Sequence, residues 1–128
     1  MAYSLAAWVA SHQSFLDLIK AETGPPTVKV KSAADATLAE VVINEATAAV
    51  NGSTAVLTLP ILTQEDASVG GTASYAQICD GAGAPHLEVP CLQGLSAVPG
   101  SLVINTLALI EGQAFEVLSL VINPGDIL

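Results

Sequence analysis

Apolar side chains and one histidine recur every three or four positions near the start of the chain. The stripe consists of Leu5, Trp8, His12, Phe15, Leu16 and Ile19. This spacing is typical of one face of an α-helix. Gly24 suits a helix C-terminus, and Pro25 and Pro26 cannot continue the helix. The pattern therefore predicts an N-terminal helix within residues 1–24, with its stripe packed on the chain's own sheet or on a neighbouring subunit.

After the prolines the period changes to two, which is typical of β-strands. Candidate strands separated by Gly, Pro, Asn, Asp or Ser are TVKVK, TLAEVVI, NGSTAVLTLP, TASYAQIC, HLEVPCL, SLVINTLALI and QAFEVLSLVI. Strands at such regular spacing favour a sandwich or barrel. We therefore expect a mainly β fold, an antiparallel β-sandwich of about seven strands with one N-terminal α-helix. The sandwich domain would span residues 25–128.

The composition indicates more apolar surface than a small monomer can bury. Hydrophobic residues make up 52% of the chain and charged residues only 12%, against about 25% charged residues in a typical domain. Large exposed apolar patches usually mark interfaces. We therefore expect a homo-oligomer or incorporation into a larger particle. The candidate assembly-interface residues are those of the helical stripe: Leu5, Trp8, His12, Phe15 and Ile19.

The charge distribution argues against two classes of partner. The net charge is −9, and the only basic residues are Lys20, Lys29 and Lys31. Binding to nucleic acid or to an anionic membrane surface needs cations facing phosphates, so we expect neither partner. The most apolar segments have strand length and are too short to span a bilayer. The N-terminus lacks a basic region, and we expect no secretory signal.

Both cysteines fall within SYAQICDGAGAPHLEVPCL, residues 74–92, which reads as a hairpin with its turn from Asp80 to Ala84. Alternation places Ile78 opposite Leu87, Ala76 opposite Val89, and Cys79 opposite His86. Cys91 then lies near Ser74, roughly 15–20 Å from Cys79. A disulfide needs Cα atoms within about 7 Å, so we expect these cysteines not to bond to each other.

The same hairpin gathers Cys79, Asp80 and His86 and raises the question of a metal or redox site. A structural zinc site normally needs four ligands at recognisable spacing, and no C-x2-C pair is present. A Cys–His dyad would lack an evident orienting residue, and Cys91 is a better candidate for a small core residue. We therefore expect no metal, no cofactor, no catalytic residues and no enzymatic activity.

Several segments resemble a group of small tailed-bacteriophage structural proteins. They are FLDLIKAETGPP, TVKVKSAADATLAEVVI, GTASYAQICDGAGAPHLEVPC and SLVINTLALIEGQAFEVLSLVINPGD, which span Phe15 to Asp126. Gln77 stands where the family pattern has a basic residue. The resemblance implies a virion component, assembled in the host cytoplasm and partnered by the major capsid protein or other virion proteins.

Three functions remain open. The first is a capsid decoration or cement protein, which would sit on the outside of the shell because the chain is acidic. The second is a structural protein of the neck, tail or fibre base. The third is a carbohydrate- or host-binding module, for which only Tyr3, Trp8 and Tyr75 could stack on a sugar.

Overall fold

The computed structural model describes residues 4–62 and 66–123. Tyr3, one of the aromatic residues considered for sugar stacking, lies outside the described residues. The elements in chain order are α1 (Leu5–Lys20), β1 (Thr27–Ser32), β2 (Thr37–Val42), β3 (Ala49–Val50), β4 (Leu57–Thr58), β5 (Gly71–Cys79), β6 (Pro85–Gln93), β7 (Leu102–Ile104), β8 (Ala108–Leu109) and β9 (Val117–Ile122). The mainly β fold with one N-terminal helix is confirmed.

The helix α1 begins where a capping side chain is present and ends before the prolines. The Ser4 hydroxyl accepts a hydrogen bond from the N–H of Ala7 at 3.1 Å, which satisfies one of the free donors of the first turn. At the other end the N–H of Ala21 donates to the carbonyl of Leu18. In the described part of the chain, no helix is long and apolar enough to cross a membrane.

The strands follow one continuous order, β2-β1-β5-β6-β7-β9-β4-β3, and β8 pairs with β5 beside this path. The expected all-antiparallel arrangement is wrong, because β6 and β7 run parallel with Cys91 opposite Leu102. The physical reason is the connection through residues 94–101, which carries the chain back along β6 before β7 begins. A tight hairpin there would have given an antiparallel pair.

The sheet curls so that the segments following β2 and β4, near the two ends of the strand order, approach each other. Ile43, just after β2, forms a bridge with Ile61, just after β4. The N–H of Asn44 donates to the carbonyl of Pro60 at 2.7 Å, and the N–H of Leu62 donates to the carbonyl of Val42 at 2.8 Å. The fold is therefore a curled mixed sheet, and the expected separation into two stacked sheets is not confirmed.

The predicted strand SLVINTLALI is divided into β7 and β8. After Ile104 the Asn105 side chain accepts from the N–H of Glu116 at 2.8 Å, and the N–H of Leu107 donates to Oε1 of Gln93 at 3.1 Å. Side chains thus take over backbone hydrogen bonds at this point, and the chain moves across to pair with β5.

The core fills the concave face of the sheet and includes one side of α1. Leu16 and Ile19 of the helix belong to the same buried cluster as residues from the strands. The largest fully buried side chains are Leu16, Ile19, Leu38, Ile43, Leu57, Leu59, Ile78, Leu102, Ile104, Ile122, His12 and Val28. The helix therefore packs on its own sheet, one of the two positions that its apolar stripe allowed.

Candidate functional site

The turn between β5 and β6 is built around the carboxylate of Asp80. Its Oδ1 accepts from the N–H groups of Ala82 at 2.9 Å and Ala84 at 3.0 Å. The N–H of Asp80 donates to the carbonyl of Ala84. Aspartate commonly closes turns in this way, and the predicted turn from Asp80 to Ala84 is confirmed. Gly83 has a φ of 89°, a conformation that favours glycine.

The second oxygen of Asp80 orients the imidazole of His86. The Asp80 Oδ2 lies 2.8 Å from Nε2 of His86. This hydrogen bond is the main reason that the pKa of Asp80 lies below its ordinary value; the N–H groups of Ala84 and Ala82 add to the effect, and burial opposes it. A carboxylate that orients a histidine is part of many catalytic constellations, which also require a nucleophile within reach.

Cys79 does not stand opposite His86. The sequence predicted that pairing, but a bulge between Ile78 and Cys79 shifts the register, and Cys79 pairs with Pro85. The pairs Ile78–Leu87 and Ala76–Val89 are confirmed. Burial is the main cause of the raised pKa of the Cys79 thiol. Because the thiolate is the reactive form, Cys79 is poorly placed to serve as a nucleophile for this histidine.

Two contacts from earlier in the chain hold the hairpin turn in place. A Cβ atom added to Gly81 would lie 2.0 Å from the carbonyl oxygen of Gly24, so two backbones meet where only glycine fits. The Lys29 Nζ donates to the carbonyl of Gly83 at 3.3 Å. Sequence reasoning missed this arrangement, since nothing local links Gly24 to Gly81.

The described residues contain no group of three or more His, Cys, Asp or Glu side chains that could hold a metal ion. Cys79 and Cys91 are both buried and free, so the prediction that they do not bond to each other is confirmed. Burial raises the pKa of Cys91 to about 12, which leaves it as a neutral thiol at physiological pH.

The five interface candidates on α1 are divided between the surface and the interior. Leu5 is 48% exposed, and Trp8 and Phe15 are half-buried. His12 and Ile19 are fully covered by their own chain, with exposures of 0%. Leu5, Trp8 and Phe15 thus retain surface that a partner could contact, while His12 and Ile19 are occupied within the fold.

His12 makes a long-range contact that the helical stripe did not predict. Its Nδ1 lies 2.6 Å from the carbonyl oxygen of Ala55. A carbonyl can only accept, so Nδ1 carries the proton. Ala55 has a φ of 60°, which is uncommon for a residue other than glycine. The Nε2 atom is buried without a hydrogen-bond partner, and the ring of Trp8 contacts the imidazole edge-on at 5.6 Å between centroids.

Large apolar side chains are exposed on α1, in β6 and in the connections between strands. The large exposed ones are Leu5, Leu18, Leu62, Val69, Leu92, Leu95, Val98 and Ile110. Leu95 is the extreme case with 90% exposure, and Leu92 and Val98 lie close to it in sequence. Residues 92–101 contain no charged side chain. We call the segment 92–98, at the end of β6 and the start of the connection to β7, the crossover patch.

The convex side of the sheet is polar where β2, β1, β5 and β6 lie side by side. Glu40, Lys29, Gln77 and Glu88 stand in register across the four strands. Gln77 donates to Glu88 at 3.0 Å. In the next row Tyr75 pairs with Lys31, and its hydroxyl donates to Asp35.

A separate cleft of about 240 Å³ lies between β9 and residues 58–61.

Comparison of the chain with family models, with curated proteins and with solved structures finds no match.

Proposed function

We propose that the chain is a bacteriophage virion structural protein, and specifically a capsid decoration or cement protein. The observation that carries this proposal is the crossover patch. Leu92, Leu95 and Val98 expose apolar surface on a segment that lacks charge. Full burial of one leucine side chain is worth about 1.5–3 kcal/mol. A partner that covers the patch would therefore gain free energy without desolvating a charge.

The charge distribution supports a position on the outer surface of the shell. No Lys or Arg follows Lys31 in the chain, and the net charge is −9. An inner position would bring this acidic surface against the phosphates of packaged nucleic acid, where like charges repel. The proposed partners are the major capsid protein and further copies of the chain.

Electron cryomicroscopy of the assembled particle tests the proposal directly. We expect density for this chain on the outside of the head, with the crossover patch at a subunit contact. Density inside the shell, or a particle without this chain, would contradict the proposal. A position at the neck, tail or fibre base would replace the decoration role with the second structural role.

A carbohydrate- or host-binding module is the second candidate, because Tyr75 lies on the polar convex face of the sheet. Its row includes Lys31, and its hydroxyl contacts Asp35, so an aromatic ring stands next to groups that can hydrogen-bond a sugar. A glycan array with Tyr75→Ala as the matched variant tests this function. Binding that the variant loses would favour it, and the absence of glycan binding would exclude it for the glycans sampled.

A further inference from the structure

The turn that follows β3 contains an asparagine directly before a glycine, Asn51–Gly52. The N–H of Asn51 donates to the carbonyl of Val56 at 2.9 Å, and the carbonyl of Asn51 accepts from the N–H of Ala55 at 2.7 Å. Residues 51–54 are all exposed. Backbone hydrogen bonds therefore close the turn at its base, while its tip lies in solvent.

The side-chain amide of Asn51 is held at its oxygen and left open at its nitrogen. Its Oδ1 accepts from the N–H of Ser53 at 2.8 Å, an Asx turn that folds the side chain forward over the backbone nitrogen of Gly52. An N–H aimed at a carbonyl oxygen stabilises the negative charge that develops there during attack on the carbon. Within the part of the chain that the structure describes, no protein group bonds to Nδ2 of Asn51 or to the N–H of Gly52.

Gly52 leaves its backbone nitrogen accessible. Nothing lies within 4 Å of the position that a Cβ atom would take at Gly52, and glycine has no side chain of its own to shield the nitrogen. The nitrogen of Gly52 and Cγ of Asn51 are the two atoms whose bond closes a five-membered imide ring. The turn thus presents an accessible nucleophile, a polarised carbonyl carbon and an unbound leaving nitrogen.

We propose that Asn51 is a site of spontaneous covalent modification, at which the folded chain converts asparagine into aspartate and isoaspartate. The backbone nitrogen of Gly52 loses its proton to hydroxide and attacks Cγ of Asn51. The bond from Cγ to Nδ2 breaks, and ammonia leaves. Water then opens the cyclic imide at either carbonyl carbon. Asparagine and water give a carboxyl group and ammonia in balance, so the step needs no oxidant and does not depend on the virion role proposed above.

The β5–β6 hairpin turn provides an internal comparison, because Asp80–Gly81 is a second pair that could close the same ring. Both oxygens of Asp80 are engaged, Oδ1 by two backbone N–H groups of the turn and Oδ2 by His86. The backbone of Gly81 lies against that of Gly24. The hydrogen bond from His86 lowers the pKa of Asp80, and an ionised carboxylate resists nucleophilic attack. The fold therefore protects Asp80 and leaves Asn51 open.

Isoaspartate at position 51 would alter the turn that α1 contacts. The backbone would run through the former side chain, which adds a carbon atom before Gly52 and displaces the carbonyl that accepts from the N–H of Ala55. The carbonyl oxygen of Ala55 lies 2.6 Å from Nδ1 of His12 in α1. A chain with isoaspartate at 51 should therefore hold α1 less firmly than a chain with ordinary aspartate there.

The experiment is incubation of the full folded chain in ¹⁸O-labelled water at mildly alkaline pH, followed by digestion in ordinary water and mass spectrometry. We expect label, aspartate and isoaspartate at residue 51, at a rate about tenfold or more above the rates at Asn44 and Asn105, which precede residues with side chains. Asp80 should stay unlabelled. Equal labelling of the three asparagines, labelling of Asn51 only in the urea-denatured chain, or labelling of Asp80 as fast as Asn51 would overturn the proposal.

Two variants test the roles of Gly52 and of the extra backbone atom. Gly52→Ala places a methyl group next to the attacking nitrogen in open space, and labelling at Asn51 should slow about tenfold. Asn51→Asp carries the new charge on an ordinary backbone. The isoaspartate chain, isolated after incubation, should unfold at lower urea concentration than Asn51→Asp and exchange its α1 amides faster. Undiminished labelling in Gly52→Ala would overturn the attack by Gly52, and equal stability of the two chains would overturn the effect on α1.

Discussion

The two histidines lie in opposite surroundings, one in a hairpin turn and the other beneath the helix. In the β5–β6 hairpin turn, His86 is partly exposed and contacts the carboxylate of Asp80 at 2.8 Å. In the contact between α1 and the turn after β3, His12 is fully buried and contacts only a neutral carbonyl among the hydrogen-bond partners of its ring. The imidazole of His86 is thus held by a carboxylate, and that of His12 by a backbone carbonyl.

Separation along the sequence, more than residue type, limits what a pattern can predict. Asp80 and His86 are six positions apart, so alternation and a Gly-rich turn already brought them together. His12 and Ala55 are joined only when the helix packs on the sheet.

The largest effect is expected where the hairpin turn contacts the segment between α1 and β1. In Gly81→Ala the new Cβ atom would lie 2.0 Å from the carbonyl oxygen of Gly24, and a backbone atom cannot move away cheaply. We expect a loss of about 3 kcal/mol in the free energy of unfolding, measured by urea denaturation. Gly52→Ala is the matched control, because nothing lies within 4 Å of its Cβ position. Equal stability of the two variants would contradict the close contact.

Much of the fold could be predicted from the sequence in segments where apolar residues recur regularly over many positions. The stripe of α1, the turn from Asp80 to Ala84 and the pairing of Ile78 with Leu87 all follow from spacing, and the structure agrees. The parallel pairing of β6 with β7 could not be predicted, since it depends on the path taken by residues 94–101. The bulge that moves Cys79 from His86 to Pro85 leaves no signature in alternation.

On α1, truncation of a side chain should lower the free energy of unfolding only where that side chain is buried. Ile19 is fully buried in the core, and Leu18 is half exposed. We expect Ile19→Ala to cost about 3 kcal/mol, because it removes buried methyl groups and leaves a cavity. Leu18→Ala, the neighbouring control, should change stability by about 0.5 kcal/mol or less. Similar losses for both variants would mean that α1 does not pack through the predicted face.

The free energy of unfolding should depend on pH through Asp80 in the hairpin turn. Its carboxylate has a lowered pKa because of the hydrogen bond from His86 and those from the Ala84 and Ala82 N–H groups. The stabilisation is therefore complete above the ordinary value of 3.8 and is lost as the pH falls through the lower folded value. Asp80→Asn preserves the shape without the charge.

We expect Asp80→Asn to be less stable than wild type at neutral pH, and the difference between the two chains to shrink as the pH falls below about 4. Chemical denaturation at a series of pH values measures this difference. A difference that stays constant down to strongly acidic pH would show that the ionised carboxylate contributes nothing specific to the turn.

The smallest effect on folding is expected at the crossover patch, at the other end of the same hairpin. Leu95 is 90% exposed and forms no part of the buried core, so Leu95→Ser should change the free energy of unfolding by about 0.5 kcal/mol or less. If the patch is an assembly contact, the same substitution should weaken association by about tenfold, because a buried leucine contributes about 1.5–3 kcal/mol. Light scattering across a concentration series, with and without the assembled shell, measures both self-association and binding.

Val69→Ser provides the control, since Val69 is also exposed but lies before β5, outside the patch. Equal weakening by both variants would point to general loss of apolar surface, and no weakening by Leu95→Ser would remove the observation on which the decoration role rests.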